Sequence, residues 1–356
     1  MIENSPLSGV SGADWLNDKL RSGGYDGAVV TAIEIDPLTM TGAFCNLARL
    51  KVSYAKDQAV GPKTLIAKMP RPEENRLAIA SAMGLFMRER RFYSALASTV
   101  PIRVPKCYYS AGGDNEPLLL EDMGAYQVGE QIGGLTPAQA ETAIEALAKL
   151  HAKFWPGRGE HPESIPWLIA ADDKVINPGL CAATASGVPG FLARYRNKFS
   201  PEIVAAAEKV GLQFDQVLQR CTEGPRTLVH GDARANNWMF GGDGDVVLVD
   251  WQVAAHARGT QDVAYMLAGS LNLADLKAHG ADLLNTYYKR LCELGVTDYR
   301  REDCLLHYRQ HVLHSFYAAF SLLGSLGAGG EFDQQLDEMV MRNVTHAVAV
   351  NAFDSL

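Results

Sequence analysis

The sequence predicts an α+β fold in two lobes: a small antiparallel sheet carrying one helix, then a larger, mainly helical lobe. Three observations predict it. Up to about Leu120 the chain is a series of short β-branched runs of alternating polarity, with one helix-like interruption. Beyond Gly124, apolar residues recur three to four apart over long stretches, the spacing of one helix face. A polar-rich segment, LVHGDARANNWMF at 228–240, breaks that helical pattern and is followed by DWQ at 250–252.

Taken in order, GADWLNDKLRSGG reads as a short helix ended by Gly23 and Gly24. AVVTAIEIDPL and ARLKVSYA follow as strands joined through TMTGAFCN, a turn-like stretch of small residues, and KTLIAKMP is a third strand. ASAMGLFMRERRFYSALAS has a helical period. PIRVPKCYYS and EPLLLEDMG are strands around a turn at Gly112, Gly113 and Asp114. TPAQAETAIEALAKLHAKFW opens with Thr136, Pro137 and Glu141, a helix-start pattern. The expected division is a first lobe at residues 1–120, a hinge at 121–126 and a second lobe at 127–356, with a cleft between the lobes.

Composition narrows the function. With 356 residues and 47% hydrophobic content, the chain can bury a sizeable core. A net charge of -8 argues against a nucleic-acid binder, which needs a basic surface to displace counterions. The cysteines at 45, 107, 181, 221, 292 and 304 form no CxxC pair, the usage of a reduced, cytoplasmic protein. MIENSPLSGVSGADWL lacks a basic and then apolar leader, and FYAAFSLLGSLGAGG from Phe316 is too short and Gly-rich to span a bilayer. No membrane association is expected, and the oligomeric state is left open.

The chemistry concentrates in 228–252. NNWMFGGDGDVVLVD reads as a hairpin whose tip lies between Asp243 and Gly244. Asn237 and Asp250 are equally far from that tip, so simple antiparallel pairing sets them opposite each other. An amide oxygen and a carboxylate so placed form a hard-oxygen site suited to Mg2+. Asp232, five residues before Asn237, is placed to accept a hydroxyl proton beside that metal. The plain alternative is a polar hairpin with capping side chains.

Lys68 sits inside the apolar strand TLIAKMP, where a lone charge is costly. Phe86, Glu89, Tyr93 and Leu96 fall on one helix face that is otherwise apolar, so Glu89 wants a cation there. Lys68 and Glu89 are the expected pair. The alternative is a solvent-facing Lys68, with Glu89 held by Arg88 or Arg90. GxxxxGK[ST] does not occur, which excludes a P-loop. His307, His311 and His314 share a helix face, but no carboxylate or cysteine accompanies them, so a partly buried stripe or a substrate-pocket wall is expected rather than a metal site.

HGDARANN followed by VDWQ resembles the catalytic loop and metal segment of the aminoglycoside-phosphotransferase and choline-kinase-like small-molecule kinases. LVHGDxxxNNWMF, LLLEDM and LAKLHAKFW are most similar to the ecdysteroid-kinase-like branch. The resemblance runs from about Thr41 to Leu267. It implies a bilobal, protein-kinase-like fold and an ATP-dependent kinase that phosphorylates a small-molecule alcohol. It also implies Asp232 as catalytic base, Asn237 and Asp250 as Mg2+ ligands, and His230 as a brace for the loop. Lys68, held by Glu89, would meet the α- and β-phosphates. Gly42 would lie in a phosphate-covering turn, and backbone groups of Glu121 and Met123 would bind adenine. Asp262 would anchor the catalytic loop, or else cap the helix that begins there. DWQ stands where protein kinases carry DFG, and ARA inside the loop is unusual for the family. The competing reading is a nucleotide-binding or regulatory protein on this scaffold without turnover.

Overall fold

A computed structural model of the protein describes residues 10–38, 44–55, 61–113, 116–158, 162–325 and 333–356. Gly42 with most of the TMTGAFCN turn, and Asp114, lie outside the described residues. The chain divides into two compact units, Met1–Thr99 with Val104–Ala125, and Val100–Arg103 with Tyr126–Leu356.

The first unit holds α1 (Val10–Ser22), β1 (Val30–Pro37), β2 (Cys45–Tyr54), β3 (Thr64–Pro70), α2 (Glu74–Ala82), α3 (Leu85–Arg91), β4 (Cys107–Tyr109) and β5 (Leu118–Glu121). Its five strands form an antiparallel sheet in the order β1-β2-β3-β5-β4. Leu16 and Leu20 of α1 are fully buried in one cluster with Leu50, Leu65, Ala67 and Leu119. Each such leucine contributes about 1.5–3 kcal/mol of burial. Because strand side chains alternate, Leu65 and Ala67 face that cluster and Lys68 points to the opposite face.

The helix expected across ASAMGLFMRERRFYSALAS is broken. α2 stops at Ala82, and Gly84 takes the left-handed conformation (φ 64°) before α3 begins. α3 then widens into a single π-type turn over Phe92–Leu96. The face expected to point inward still does so, since Phe86, Glu89, Tyr93 and Leu96 are all buried.

The second unit holds β6 (Gln127–Val128), α4 (Pro137–Lys153), β7 (Ile169–Ala170), α5 (Ile176–Ser186), α6 (Val188–Tyr195), α7 (Pro201–Leu212), α8 (Phe214–Arg220), β8 (Thr227–Val229), β9 (Trp238–Phe240), β10 (Val246–Leu248), β11 (Ala255–Ala257), α9 (Thr260–Ser270), α10 (Leu273–Glu293), α11 (Arg301–His314), α12 (Phe316–Ser325) and α13 (Asp333–Ala349). The unit is mainly helical but carries two small sheets, β10-β9-β6 and β7-β11-β8. α4 starts at Thr136 with Pro137 next, as expected, but its capping partner is Gln139 rather than Glu141. The Gln139 amide donates to Thr136 Oγ1, and the Thr136 amide donates to Gln139 Oε1. No helix among the described residues is long and apolar enough to cross a membrane.

Candidate active site

The segment that carries the chemistry leaves the fully buried strand β8 and turns at once. Gly231 makes that turn possible: its φ is 85°, and a Cβ there would meet Val253 O at 2.4 Å. His230 braces the loop. Its Nε2 donates to Val249 O at 2.9 Å, and its Nδ1 accepts the Asp232 amide at 3.2 Å. One neutral tautomer, protonated on Nε2, satisfies both bonds. The ring also meets Trp251 edge-on at 4.7 Å. A 3-10 turn at Ala235–Asn237 then delivers Asn237 to the start of β9.

Asp262 ties this loop to the helices. Its carboxylate accepts the amides of His230 (2.7 Å) and Gly231 (2.8 Å) and meets His151 Nε2 at 3.2 Å. His151 Nδ1 reaches Tyr287 Oη at 2.9 Å, and the His151 carbonyl accepts from Thr227 Oγ1 at 2.8 Å. All four side chains are fully buried. Asp262 is therefore an anchor, not a helix cap; the capping position of α9 belongs to Gly259. Burial pushes the Asp262 carboxyl up, but hydrogen bonding and charge from His151 and the His230 amide outweigh it and hold the group below its ordinary value. His151 is the member that sequence reading did not single out.

The hairpin register corrects an expectation. Trp238 pairs with Leu248 and Phe240 with Val246, and the Val249 amide donates to Asn237 O at 3.0 Å. Asn237 thus lies opposite Val249, one residue short of Asp250. The cause is the tip, where Gly242–Gly244 forms a three-residue turn with Asp243 and Gly244 at positive φ, rather than a two-residue turn. Asp250 leaves the strand through the left-handed region (φ 70°), which re-aims its side chain away from the strand alternation.

Asn237 and Asp250 both remain within reach of Asp232. Burial pushes the Asp232 carboxyl above its ordinary value; Arg234 pulls it down, Asp250 pushes it further up, and Asn237 pulls it down by hydrogen bonding. Arg234 Nε stands 3.5 Å from Asp232 Oδ2, with side-chain exposures of 33% and 13%. Asp232 Oδ1 is buried and has no hydrogen-bond partner. Asn237 Nδ2 donates to Asp232 O at 2.7 Å, which leaves the amide oxygen as the group Asn237 can offer a cation. Gln252 Nε2 lies 3.5 Å from Asp250 Oδ2.

Two residues outside the motif border this loop. Tyr265 and Tyr317 stack at 6.0 Å; burial raises both phenols, and the Asp232 charge adds to the shift. Arg234 and Tyr265 also line a cavity of about 20 Å³ with Gln131 and Asn343, room for about one water.

An amide oxygen and up to two carboxylates are donors that fit Mg2+, which takes few protein ligands and keeps waters or phosphate oxygens. Among the described residues, no group of three His, Cys, Asp or Glu side chains is arranged to hold a metal ion. The histidine stripe has other work: His307 Nδ1 reaches Tyr299 Oη, His311 Nδ1 reaches Thr260 Oγ1, each at 2.9 Å, and His314 lies against Phe214 and Tyr317.

In the first unit, Lys68 Nζ meets Glu89 Oε2 at 2.7 Å, with side-chain exposures of 7% and 2%. Arg90 donates to the carbonyls of Ser110 (3.1 Å), Ala111 (3.2 Å) and Glu116, and Arg88 reaches Met83 O at 3.0 Å. Glu121 ends β5, where its carboxylate accepts the Lys106 amide at 3.0 Å, and Met123 is buried. All six cysteines are free thiols, three buried and three half-buried.

The model of the ecdysteroid kinase-like family matches residues 42–295. Among solved structures, a spectinomycin phosphotransferase in complex with ADP and spectinomycin is similar over 96% of this chain and 98% of its own, at 12% identity and a TM-score of 0.55. A choline kinase from Streptococcus pneumoniae is similar over 94% and 98%, at 11% identity and a TM-score of 0.54. A choline kinase from Cryptosporidium parvum Iowa II is similar over 90% and 89%, at 10% identity and a TM-score of 0.52. The shared fold is the α+β, protein-kinase-like fold of small-molecule phosphotransferases. Among curated proteins none matches the chain.

Proposed function

The chain belongs to the ecdysteroid kinase-like family, and from that premise we propose that it transfers the γ-phosphate of ATP to a hydroxyl group of a small-molecule alcohol. The observation that carries this reading is Asp232 Oδ1, a buried carboxylate oxygen with no partner, held beside two further oxygen donors at the hairpin ends. A buried acceptor left unpaired costs about 1–3 kcal/mol. A substrate hydroxyl at that oxygen recovers the loss.

Asp232 then orients the alcohol through an O–H···Oδ1 hydrogen bond and takes its proton as the new oxygen–phosphorus bond forms. The bond between the γ-phosphorus and the bridging oxygen breaks, and ADP leaves with that electron pair. The raised Asp232 carboxyl suits a group that must accept a proton late in the reaction. Mg2+ held by Asn237 and Asp250 would supply neutralisation of phosphate charge. Lys68, steadied by Glu89, is assigned to the α- and β-phosphates. The turn around Gly42 is assigned to covering the phosphates, and the backbone of Glu121 and Met123 to adenine. Catalysis on this reading is mostly positioning and electrostatics. The free thiols suit a reducing, cytoplasmic setting.

The test is ADP release by the purified chain with Mg-ATP against a panel of sterols, amino alcohols, sugars and hydroxyacyl thioesters. One acceptor should stimulate release, and Asp232→Ala should lower it by about 10²–10⁴-fold while nucleotide binding persists. Stimulated turnover that survives Asp232→Ala removes Asp232 from this role. Nucleotide binding with no turnover against any acceptor favours the regulatory reading.

A further inference from the structure

The second unit contains a pocket of about 900 Å³ that shares no lining residue with the loop and hairpin described above. That volume lies within the ~300–1,000 Å³ of small-molecule sites. The helices α10 and α11 form its walls, α13 contributes Thr345, His346, Val348 and Ala349, and Val350 follows just beyond its end. Leu276, Leu284 and Leu305 make much of the surface apolar.

The charges in this pocket have one sign. Lys277, Arg301 and Arg309 line it, and no aspartate or glutamate does. Among the described residues, none of the three has a carboxylate within 4 Å. Arg301 is committed to Asn285 Oδ1 at 3.2 and 3.1 Å. That bond sets the level of α11 against α10. Asn285 meets Arg301, and Gly280 and Tyr308 both lie against His346, so α10 and α11 run in opposite directions, and Lys277 and Arg309 lie toward the same end of the groove, each about 12 Å of helix from the Arg301–Asn285 bond. Arg309 Nε is buried there and has no hydrogen-bond partner. At the α13 side, Tyr308 Oη and His346 Nε2 are bonded to each other at 2.6 Å, and burial holds the imidazole at about 4, so that end is uncharged.

We propose that this groove binds a long-chain carboxylate, with its headgroup between Lys277 and Arg309 and its alkyl chain along Leu284 and Leu305. A cationic end next to an apolar trough fits a ligand with one anionic end and an apolar body. A twelve-carbon chain is about as long as the trough from Lys277 to Asn285.

Isothermal titration of the full chain with dodecanoate, below its micelle concentration and without nucleotide, tests the proposal. Binding should saturate at one molecule per chain, and dodecanol should bind about tenfold or more weakly, about 1.4 kcal/mol. Lys277→Glu with Arg309→Glu should weaken dodecanoate by about tenfold or more. Ala281→Trp fills the trough from an exposed position, so it leaves the core intact and should abolish binding. Absence of saturable binding, equal binding of dodecanol, or binding that survives Ala281→Trp overturns the proposal. So does a wild-type dimer that Ala281→Trp splits, since a second copy is then the occupant. Phosphotransfer is not read in this experiment, so its outcome is independent of the kinase reading.

Discussion

The two units treat a buried charge in opposite ways. In the first, Lys68 and Glu89 close on each other at 2.7 Å with almost no exposure. In the second, Asp232 and Arg234 stand 3.5 Å apart, and both keep some exposure. The first arrangement closes without a ligand: ammonium and carboxylate already meet directly. The second is left incomplete, and incompleteness is what a site needs if it is to gain energy only when a substrate hydroxyl arrives. The difference separates a charge pair that holds a lysine still from a carboxylate kept ready to accept.

The largest effects should fall on the incomplete side, and on turnover rather than stability. Asp232→Asn keeps the shape but removes the proposed base, so ADP release should drop by about 10²–10⁴-fold. Its urea midpoint should move little, because Oδ1 has no bond to lose. A large loss of stability would show that Asp232 is a structural ion after all.

The finished pair should behave in reverse. Glu89→Ala removes the carboxylate that meets Lys68 at 2.7 Å and should cost about 3–5 kcal/mol in urea unfolding. The double change Lys68→Met with Glu89→Leu should recover most of that loss, because well-packed apolar residues match a buried ion pair in stability. A double variant as unstable as Glu89→Ala breaks the comparison.

Asp262 lies between these extremes, as a buried carboxylate whose partners are mostly backbone amides. Asp262→Asn should cost about 1–3 kcal/mol, since the new amide sets an N–H against an N–H. The pH dependence has a definite sign. A carboxyl held below its unfolded value stabilises fully above that unfolded value, about 3.9, and the gain is lost as pH falls through the folded value. Acid unfolding of the asparagine variant should therefore be less steep below about pH 4.

The smallest expected effect sharpens the comparison from the side of Arg234. Its charge lowers the Asp232 carboxyl against the upward push of burial. Without it that carboxyl rises, so in Arg234→Gln the acid limb of kcat/KM should move to higher pH. An unmoved or lowered limb would mean that Arg234 does not act on Asp232 in the free enzyme.

Residue type and spacing made much of the candidate site legible before any coordinates. Glu89 was readable because a carboxylate on an apolar helix face has few ways to be satisfied. The parts that were not legible depended on backbone geometry. GGDGD is compatible with a two- or a three-residue turn, and one residue of difference moved the partner of Asn237 from Asp250 to Val249. The break at Gly84 was masked because the apolar period continues on both sides of it. His151 carried a weak signal: it follows Ala140, Ile144 and Leu147 along one face of α4, where a histidine needs polar partners. Nothing local connected it with Asp262, 111 residues away. The stacking of Tyr265 on Tyr317 beside Arg234 is decided by how α9 and α12 fold, and neither segment alone shows it.

The anchor built on Asp262 has a consequence for how the protein opens. The amides of His230 and Gly231 both end on one carboxylate that is itself gripped from α4. Releasing either breaks a fully buried bond to a carboxylate that α4 and α9 together hold in place. Their exchange with deuterium should therefore follow complete unfolding of the unit, not local fraying of a loop. Two backbone protons from an apparently exposed motif would then serve as clocks for the stability of the helical core.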